Sequence, residues 1–319
     1  MRYLIAFSIG LIFCVCCKQS EKVYINGAHY LKLSEIQGCV QIDSNFFADK
    51  TELRNIDWRE YNYWMHRVFG RRVYNDLQPD SSCWYRYSDT LAILNNFEEY
   101  AYLYYRHPAY SDYPLVGVSY EQAVDYCKWR TDRVFEWILI KKGIIPSNPD
   151  QVDENHFSVE NYFNGKYMGR APDFSLPYPE YRLPTKSEWE KLAYAGLDSI
   201  IYPYGIDCTK KHIKKDLNED SLLFRYFHLT LKNINVLHDS NILLISPSFG
   251  YKSLANSWGL YSMHDNVSEL VSEKGITKGG SFNSKMEESQ ISKDFKYEVT
   301  NAWTGFRCVA EWKLFKIEN

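Results

Sequence analysis

The sequence lacks the motifs that identify the commonest enzyme classes. Its 319 residues contain no glycine-rich loop of either common phosphate-binding type, which argues against a nucleotide site of those types. The eight histidines show no paired metal-ligand spacing, and no C-x-x-C follows residue 17, so a zinc site finds no support. The formal net charge is −3, with Lys and Arg scattered along the chain, which argues against nucleic acid as a partner.

Local signs of a nucleophile are also missing. Ser119 in GVSYE lacks the final glycine of a nucleophile elbow and is better placed to cap a helix. Carboxylates such as Glu98 and Glu99 are typical of a solvated helix surface rather than of a paired acid and base. The sequence neither predicts nor excludes a Ser-His-Asp triad, because its three members can be far apart in the chain and come together only in the folded protein.

Long apolar runs are absent except at the N-terminus. Residues 3–15 are apolar and are followed by cysteines and polar residues, a pattern that is too short for a stable membrane span but fits a secretory signal. The cysteines resemble a bacterial lipoprotein signal, which predicts a signal peptide over residues 1–17 and a lipidated Cys17. Cys14 and Cys16 are the other candidates, and an ordinary signal peptide or a membrane anchor is the alternative.

The chain is rich in aromatic residues. Aromatic residues make up 17%, with 27 Tyr and 9 Trp, while apolar residues make up 45% and charged residues 24%. This balance is typical of a globular protein, and many large rings suit a fold with much irregular backbone. Ser119 with Gln122, and Thr185 with Glu188, predict capped helices that end at Gly143 and Gly196.

A further helix is predicted from Asn55, as its N-cap, to Gly70. Residues 144–180 are rich in Pro, Asn, Asp and Gly but contain Phe and Tyr, so we expect an ordered insertion.

Six segments stand out along the chain. In order, they are FADKTELRN, PLVGVSYEQAVDYCKWR, YRLPTKSEWEKLAYAG, WGLYSMHDNVSELV, KGGSF and TGFRCVAEW. Together they resemble the signature blocks of the formylglycine-generating enzyme (sulfatase-modifying factor) family. The resemblance runs from about Val23 to Trp312 and implies an α+β, C-type-lectin-like fold with much irregular structure. The implied domain spans residues 23–313, with an insertion at about 131–180, a tether at 18–22 and a tail at 314–319.

The resemblance also implies that the chemistry of the family is lost. Its enzymes oxidise a cysteine of a client sulfatase and hold copper(I) with two cysteines after the K-G-G-S turn. Those positions fall on Ser284 and about Ser289 here. Copper(I) prefers soft thiolates, and a serine hydroxyl is hard and neutral. We therefore expect a degenerate active site, no copper and no enzymatic activity of this type.

Two further features are implied by the resemblance. DNVSE resembles the calcium loop of the family, so Asn266 and Glu269 are its candidate ligands, and calcium prefers oxygen. The alternative is a loop held by an Asn turn with a surface Glu. Cys127 and Cys308 match a family pair that forms a disulfide, and the alternative is two buried thiols. Cys39, Cys83 and Cys208 have no assigned partner.

The long segment between Cys127 and Arg182, together with the lipoprotein signal, resembles a non-catalytic branch of the family, the gliding-motility and type IX secretion lipoproteins of Bacteroidota. This implies an outer-membrane lipoprotein, on the periplasmic face, whose partners are the membrane, through its lipid, and proteins of the cell-envelope machinery. Its role would be structural or that of an interaction component. The alternatives are a lectin-like ligand-binding module and an oxidoreductase of the formylglycine-generating type.

Overall fold

A computed structural model describes residues 38–91, 97–197, 247–248, 250, 255–282, 284 and 289–316, with the backbone alone at 88–91 and 97–98. It also describes the backbone of two antiparallel strands, β1 (Lys22–Ile25) and β2 (His29–Lys32). β1 begins at Lys22, the last residue predicted for the tether. The predicted signal peptide with Cys17, and also Cys208, lie outside the described residues.

The centre of the fold is a four-stranded antiparallel sheet that is buried on both faces. Its order is β3 (Cys39–Gln41), β4 (Phe46–Asp49), β10 (Val309–Lys313) and β5 (Tyr178–Arg182). Successive residues of a strand point to opposite faces. Phe47 and Ala310 accordingly join one apolar cluster, while Phe46 and Val309 join another. Neighbouring residues of the same strand therefore belong to two different apolar clusters, one on each face of the sheet.

Helices cover the two faces. Trp58 and Tyr126, from the first and fifth helices, pack on the Phe47 side, whereas Trp189 of the seventh packs on the Phe46 side. Every helix in the described part of the chain is too short or too polar to cross a lipid bilayer. The predicted α+β class is confirmed. The helices are α1 (Asn55–Phe69), α2 (Arg71–Asp76), α3 (Cys83–Leu91), α4 (Phe97–Leu103), α5 (Tyr120–Lys141), α6 (Val159–Phe163) and α7 (Lys186–Tyr194).

The two predicted capping boxes are confirmed. Ser119 Oγ accepts from the backbone N–H of Gln122, whose side chain accepts from the N–H of Ser119. Thr185 and Glu188 repeat the arrangement at the start of α7. Each box satisfies N–H groups that have no partner within the helix.

The predicted N-cap of α1 is wrong by one residue. Arg54 caps the helix, and Asp57 accepts hydrogen bonds from the Arg54 backbone and guanidinium. Asn55 is already inside α1, and its Nδ2 donates to the carbonyls of Tyr104 and Tyr110, both at 3.0 Å. The Asn55 side chain, which the local pattern predicted to cap the helix, makes tertiary hydrogen bonds instead.

A second sheet carries the loops of the candidate site. Its order is β8 (Phe295–Lys296), β7 (Ile276–Lys278), β6 (Ser268–Leu270) and β9 (Thr304–Gly305). β6 and β9 are parallel, and the other two pairs are antiparallel. The strands have two or three residues each, so the connecting loops make up most of this part of the molecule.

The segment 144–180 is ordered and has an apolar core of its own. Phe157, Tyr162 and Phe163 are at most 2% exposed and pack against Phe135 of α5. A polar group supports them: Glu136 accepts from Gln151 at 2.7 Å and from Arg133 at 2.5 Å. α5 contributes residues to both this core and the central one. The insertion is therefore packed as part of the domain and is not a separate unit.

We predict that Phe157→Ala lowers the free energy of unfolding by about 3–5 kcal/mol, because it removes a fully buried ring and leaves a cavity. Phe174→Ala is the matched control in the same segment, since Phe174 is 40% exposed. Urea denaturation of both variants measures the difference. Equal small losses would show that the insertion is not part of the cooperative fold.

Candidate functional site

The turn after β7 is built around two glycines. Gly279 and Gly280 have φ of 94° and 70°, a region that glycine adopts without strain. A Cβ on Gly279 would lie 2.9 Å from the Trp189 ring, and one on Gly280 would overlap Ser289. The turn therefore requires glycine both for its backbone angles and for its close contacts.

The two serines predicted to stand at the copper positions of the family contact this turn. Ser284 is 9% exposed; its N–H donates to the Ser281 carbonyl at 2.9 Å, and the two Oγ atoms are 3.0 Å apart. Ser289 is fully buried against Gly280. Both serines that are predicted to stand at the copper positions therefore lie at the same turn.

A buried lysine fixes the start of the turn, and sequence reasoning did not assign it a role. The Lys278 side chain is fully buried, and its Nζ lies 2.7 Å from Glu190 Oε1 and 3.1 Å from Asp294 Oδ1. A buried ammonium group needs such partners. The ion pair could not be predicted locally, because Glu190 lies on α7, far away in the sequence. The only local indication of a role for Lys278 is its position before Gly279 in KGGS.

Asn266 and Glu269, the predicted calcium ligands, are buried and already bonded to protein groups. Both Glu269 oxygens accept from the Arg307 guanidinium, at 2.5 and 2.7 Å, and Oε2 also accepts from Trp189 Nε1 at 2.7 Å. Asn266 donates to Glu52 and accepts from the Ser248 N–H. The alternative of a surface Glu is wrong, because Glu269 is 1% exposed.

This donor set does not fit calcium. A cation bonded to Glu269 would lie beside the guanidinium of Arg307, which already neutralises the carboxylate. No group of three or more His, Cys, Asp or Glu that could hold a metal occurs among the residues whose placement is described. Calcium binding by this protein stays a prediction, and the geometry argues against Asn266 and Glu269 as its ligands.

The neighbouring ionisable groups have shifted pKa values. Burial lowers the pKa of His264 to about 3, so the ring is neutral at neutral pH. Burial raises the pKa of Asp265 to about 7, although the charge of Arg307 opposes the shift. Both residues are at most 1% exposed, which is the environment that disfavours charge. Neither signal is visible in the letters MHDN.

Cys127 and Cys308 meet in the core, as the resemblance implied. Both are buried, and their Sγ atoms lie 3.6 Å apart as two thiols. Burial raises the pKa of Cys308 well above its usual value. The disulfide stays a prediction. Cys39 and Cys83 are also thiols, and Cys39 donates to Asp49 at 3.3 Å.

Comparisons with family models and with solved structures both give matches. The family model of the sulfatase-modifying factor enzyme 1-like domain matches residues 38–312. Among solved structures, CarF is 15% identical, with 83% of this chain and 86% of that chain covered and a TM-score of 0.43. PvdO from Pseudomonas aeruginosa is 17% identical, with 63% of each chain covered and a TM-score of 0.35. Treponema denticola variable protein 1 is 14% identical, with 86% and 91% covered and a TM-score of 0.42. A search of curated proteins finds no match.

We predict that Glu269→Gln lowers the free energy of unfolding by about 3–5 kcal/mol, because it leaves the buried Arg307 charge without its partner. Glu298→Gln is the matched control, since Glu298 is exposed on the same third of the chain. Urea denaturation with and without calcium chloride should show the same loss. Calcium stabilisation that disappears in Glu269→Gln would contradict the ion-pair role and support the calcium site.

Proposed function

Because the chain belongs to the sulfatase-modifying factor enzyme 1-like family, we propose that it is a non-enzymatic member of it, an outer-membrane lipoprotein on the periplasmic face. In this proposal it acts as a structural or interaction component of an envelope assembly of the gliding-motility or type IX secretion kind. The observation that carries the proposal is the presence of serines at 284 and 289, where the family resemblance implies copper-binding cysteines.

The surroundings of these serines support the loss of copper chemistry. Ser284 is bonded to Ser281, and Ser289 packs against Gly280, so both hydroxyls lie against the turn. Two neutral oxygens in these contacts are poor ligands for copper(I). The glycine turn is retained for a structural reason, since Trp189 and Ser289 pack closely against it.

An ordered insertion supports a role in binding other proteins. Its core is anchored on α5, while Met168 and Phe174 are 50% and 40% exposed. Exposed large apolar side chains on a rigid segment are typical of protein interfaces. The membrane part of the proposal depends on the lipoprotein-like N-terminus and on Cys17, which precede the described residues.

A copper titration tests the enzymatic part. We predict that the double variant Ser284→Cys, Ser289→Cys binds about one equivalent of copper(I) more than the unsubstituted chain, because it restores a pair of thiolates. Each single variant is the control, since one added thiol does not make a pair. Copper-dependent oxidation of a cysteine peptide by the unsubstituted chain would contradict the proposal.

A native pull-down of the full chain from outer membranes tests the interaction part. We predict that secretion or motility subunits are recovered in a fixed ratio and that Met168→Glu, Phe174→Glu reduces this recovery, because it places charge on the apolar insertion surface. Mass spectrometry measures the ratio. Point substitutions are preferable to deleting 144–180, since the deletion would remove the buried Phe157 and Phe163.

Two further variants serve as controls in the pull-down. Val299→Glu changes a side chain that is 69% exposed in another part of the chain and should leave recovery unchanged. Cys17→Ser should release the protein from the membrane fraction. Recovery of the chain alone, or equal recovery with all surface variants, would count against an assembly role through the insertion.

A further inference from the structure

A large groove is lined by three parts of the chain: α1 and α2, the surface of α5, and the segment that contains α6 and β5. Its volume is about 1440 Å³, above the usual range of small-molecule sites, which is about 300–1,000 Å³. The α5 residues in its lining run from Tyr120 to Asp132, a length of about 18 Å. The size therefore fits a segment of polypeptide better than a small metabolite.

Apolar side chains in this groove are open to solvent. Val124 of α5 is 41% exposed, and Phe174 of the insertion is 40% exposed. Tyr120, one helical turn before Val124, is half-buried and lines the same groove. Exposed large apolar side chains that line one groove are typical of an interface with another protein. Phe174 also belongs to the insertion surface that we propose as a binding site for proteins, so the groove continues that surface.

The sheet edge beside the groove is closed to strand pairing. β5 is an edge strand, since it pairs with β10 alone among the described strands. The N–H of Tyr181 donates to Thr131 Oγ1 at 2.8 Å and therefore points away from β10. Pro179, two residues earlier, turns its backbone to the same side and has no N–H. With no free N–H at either position, a partner segment is better held through its side chains, as a helix in a groove.

The unpaired charge of the groove is mostly negative. Glu180 pairs with Lys313, and Arg182 pairs with Glu188 and Glu311, so these lining residues are already neutralised. Four other carboxylates in the lining form no ion pair within the described part of the chain, against two lysines. This excess favours a partner with cationic side chains. The carboxylates are Asp76, Asp125, Asp132 and Glu160, and the lysines are Lys128 and Lys316.

The four carboxylates lie toward two places in the groove. The backbone carbonyl of Asp76 accepts from Gln122, near the start of α5, whereas the Asp132 carboxylate accepts from the N–H of Val159, at the start of α6. On α5 itself, Asp125 and Asp132 are two helical turns apart, which places them on one face at a separation of about 10 Å. A second helix with Lys or Arg side chains two turns apart matches this spacing.

We infer that the groove holds a basic amphipathic helix of a partner protein, about three turns long. Its apolar face would pack on Tyr120, Val124 and Phe174, and its Lys or Arg side chains would lie beside the unpaired carboxylates. The inference rests on the proposed interaction role, and it names the chemistry of the partner segment.

Two model peptides test this inference on the full chain. Both are amphipathic helices of about four turns with the same leucine face, and one carries lysine at its polar positions where the other carries glutamate. Fluorescence anisotropy measures their affinities, and we expect the lysine peptide to bind about tenfold more tightly. The double variant Asp125→Lys, Glu160→Lys should weaken binding of the lysine peptide about tenfold, and so should Val124→Arg, which places a charge on the apolar surface.

Matched controls separate the groove from general changes of charge. Asp153→Lys with Glu154→Lys makes the same change of charge on exposed residues outside the lining, and Val299→Arg changes an exposed valine there. Both controls should bind the lysine peptide as the unsubstituted chain does. Equal binding of the two peptides, or an equal loss in the groove and control variants, overturns the inference. A dimer of the chain that Val124→Arg dissociates also overturns it, since a second copy would then fill the groove.

The membrane pull-down separates this inference from the proposed function. Loss of partner recovery with Val124→Arg supports both of them. Recovery that Val124→Arg leaves unchanged overturns the groove as the partner site and leaves the assembly role in place. A chain that is recovered alone but still prefers the lysine peptide overturns the assembly role and supports the groove.

Discussion

The buried Arg307 is the interaction on which the rest of this structure depends. Its side chain is fully buried and pairs with Glu269 through two nitrogens. The remaining hydrogen bonds go to the backbone carbonyls of Asp49, at 3.2 Å, Lys50, at 3.5 Å, and Tyr261, at 2.8 Å. A buried guanidinium is tolerated only when it is fully partnered. Arg307 therefore holds the end of β4, the loop before β6 and β6 itself in one arrangement.

That arrangement also fixes the glycine turn after β7. Glu269 also accepts from Trp189 of α7, whose ring packs on Gly279 of the turn. The geometry of the turn is thus set by an ion pair, a ring and two glycines, none of which requires a thiol. Ser284 and Ser289, which we predict to stand at the copper positions of the family, lie against the same turn.

The distinctive parts of this chain lie on the opposite side of the central sheet from α7. α5 packs on the sheet and supports the core of the insertion. A single long helix therefore connects the central core to the proposed protein-binding surface. The same helix carries the Cys127 thiol that meets Cys308 in the core.

The sequence by itself determined what is local: the caps at Ser119 and Thr185, the glycine turn and the α+β class, because these depend on bonds within a few residues or on ordered motif blocks. Tertiary structure decided what is paired at a distance. Glu269 looked like a surface or calcium residue because its partner, Arg307, is 38 positions away. Asn55 looked like a cap for the same reason, since its partners lie 49 and 55 positions away. A buried polar group is defined by the neighbours that compensate it, and only the folded chain brings those neighbours together.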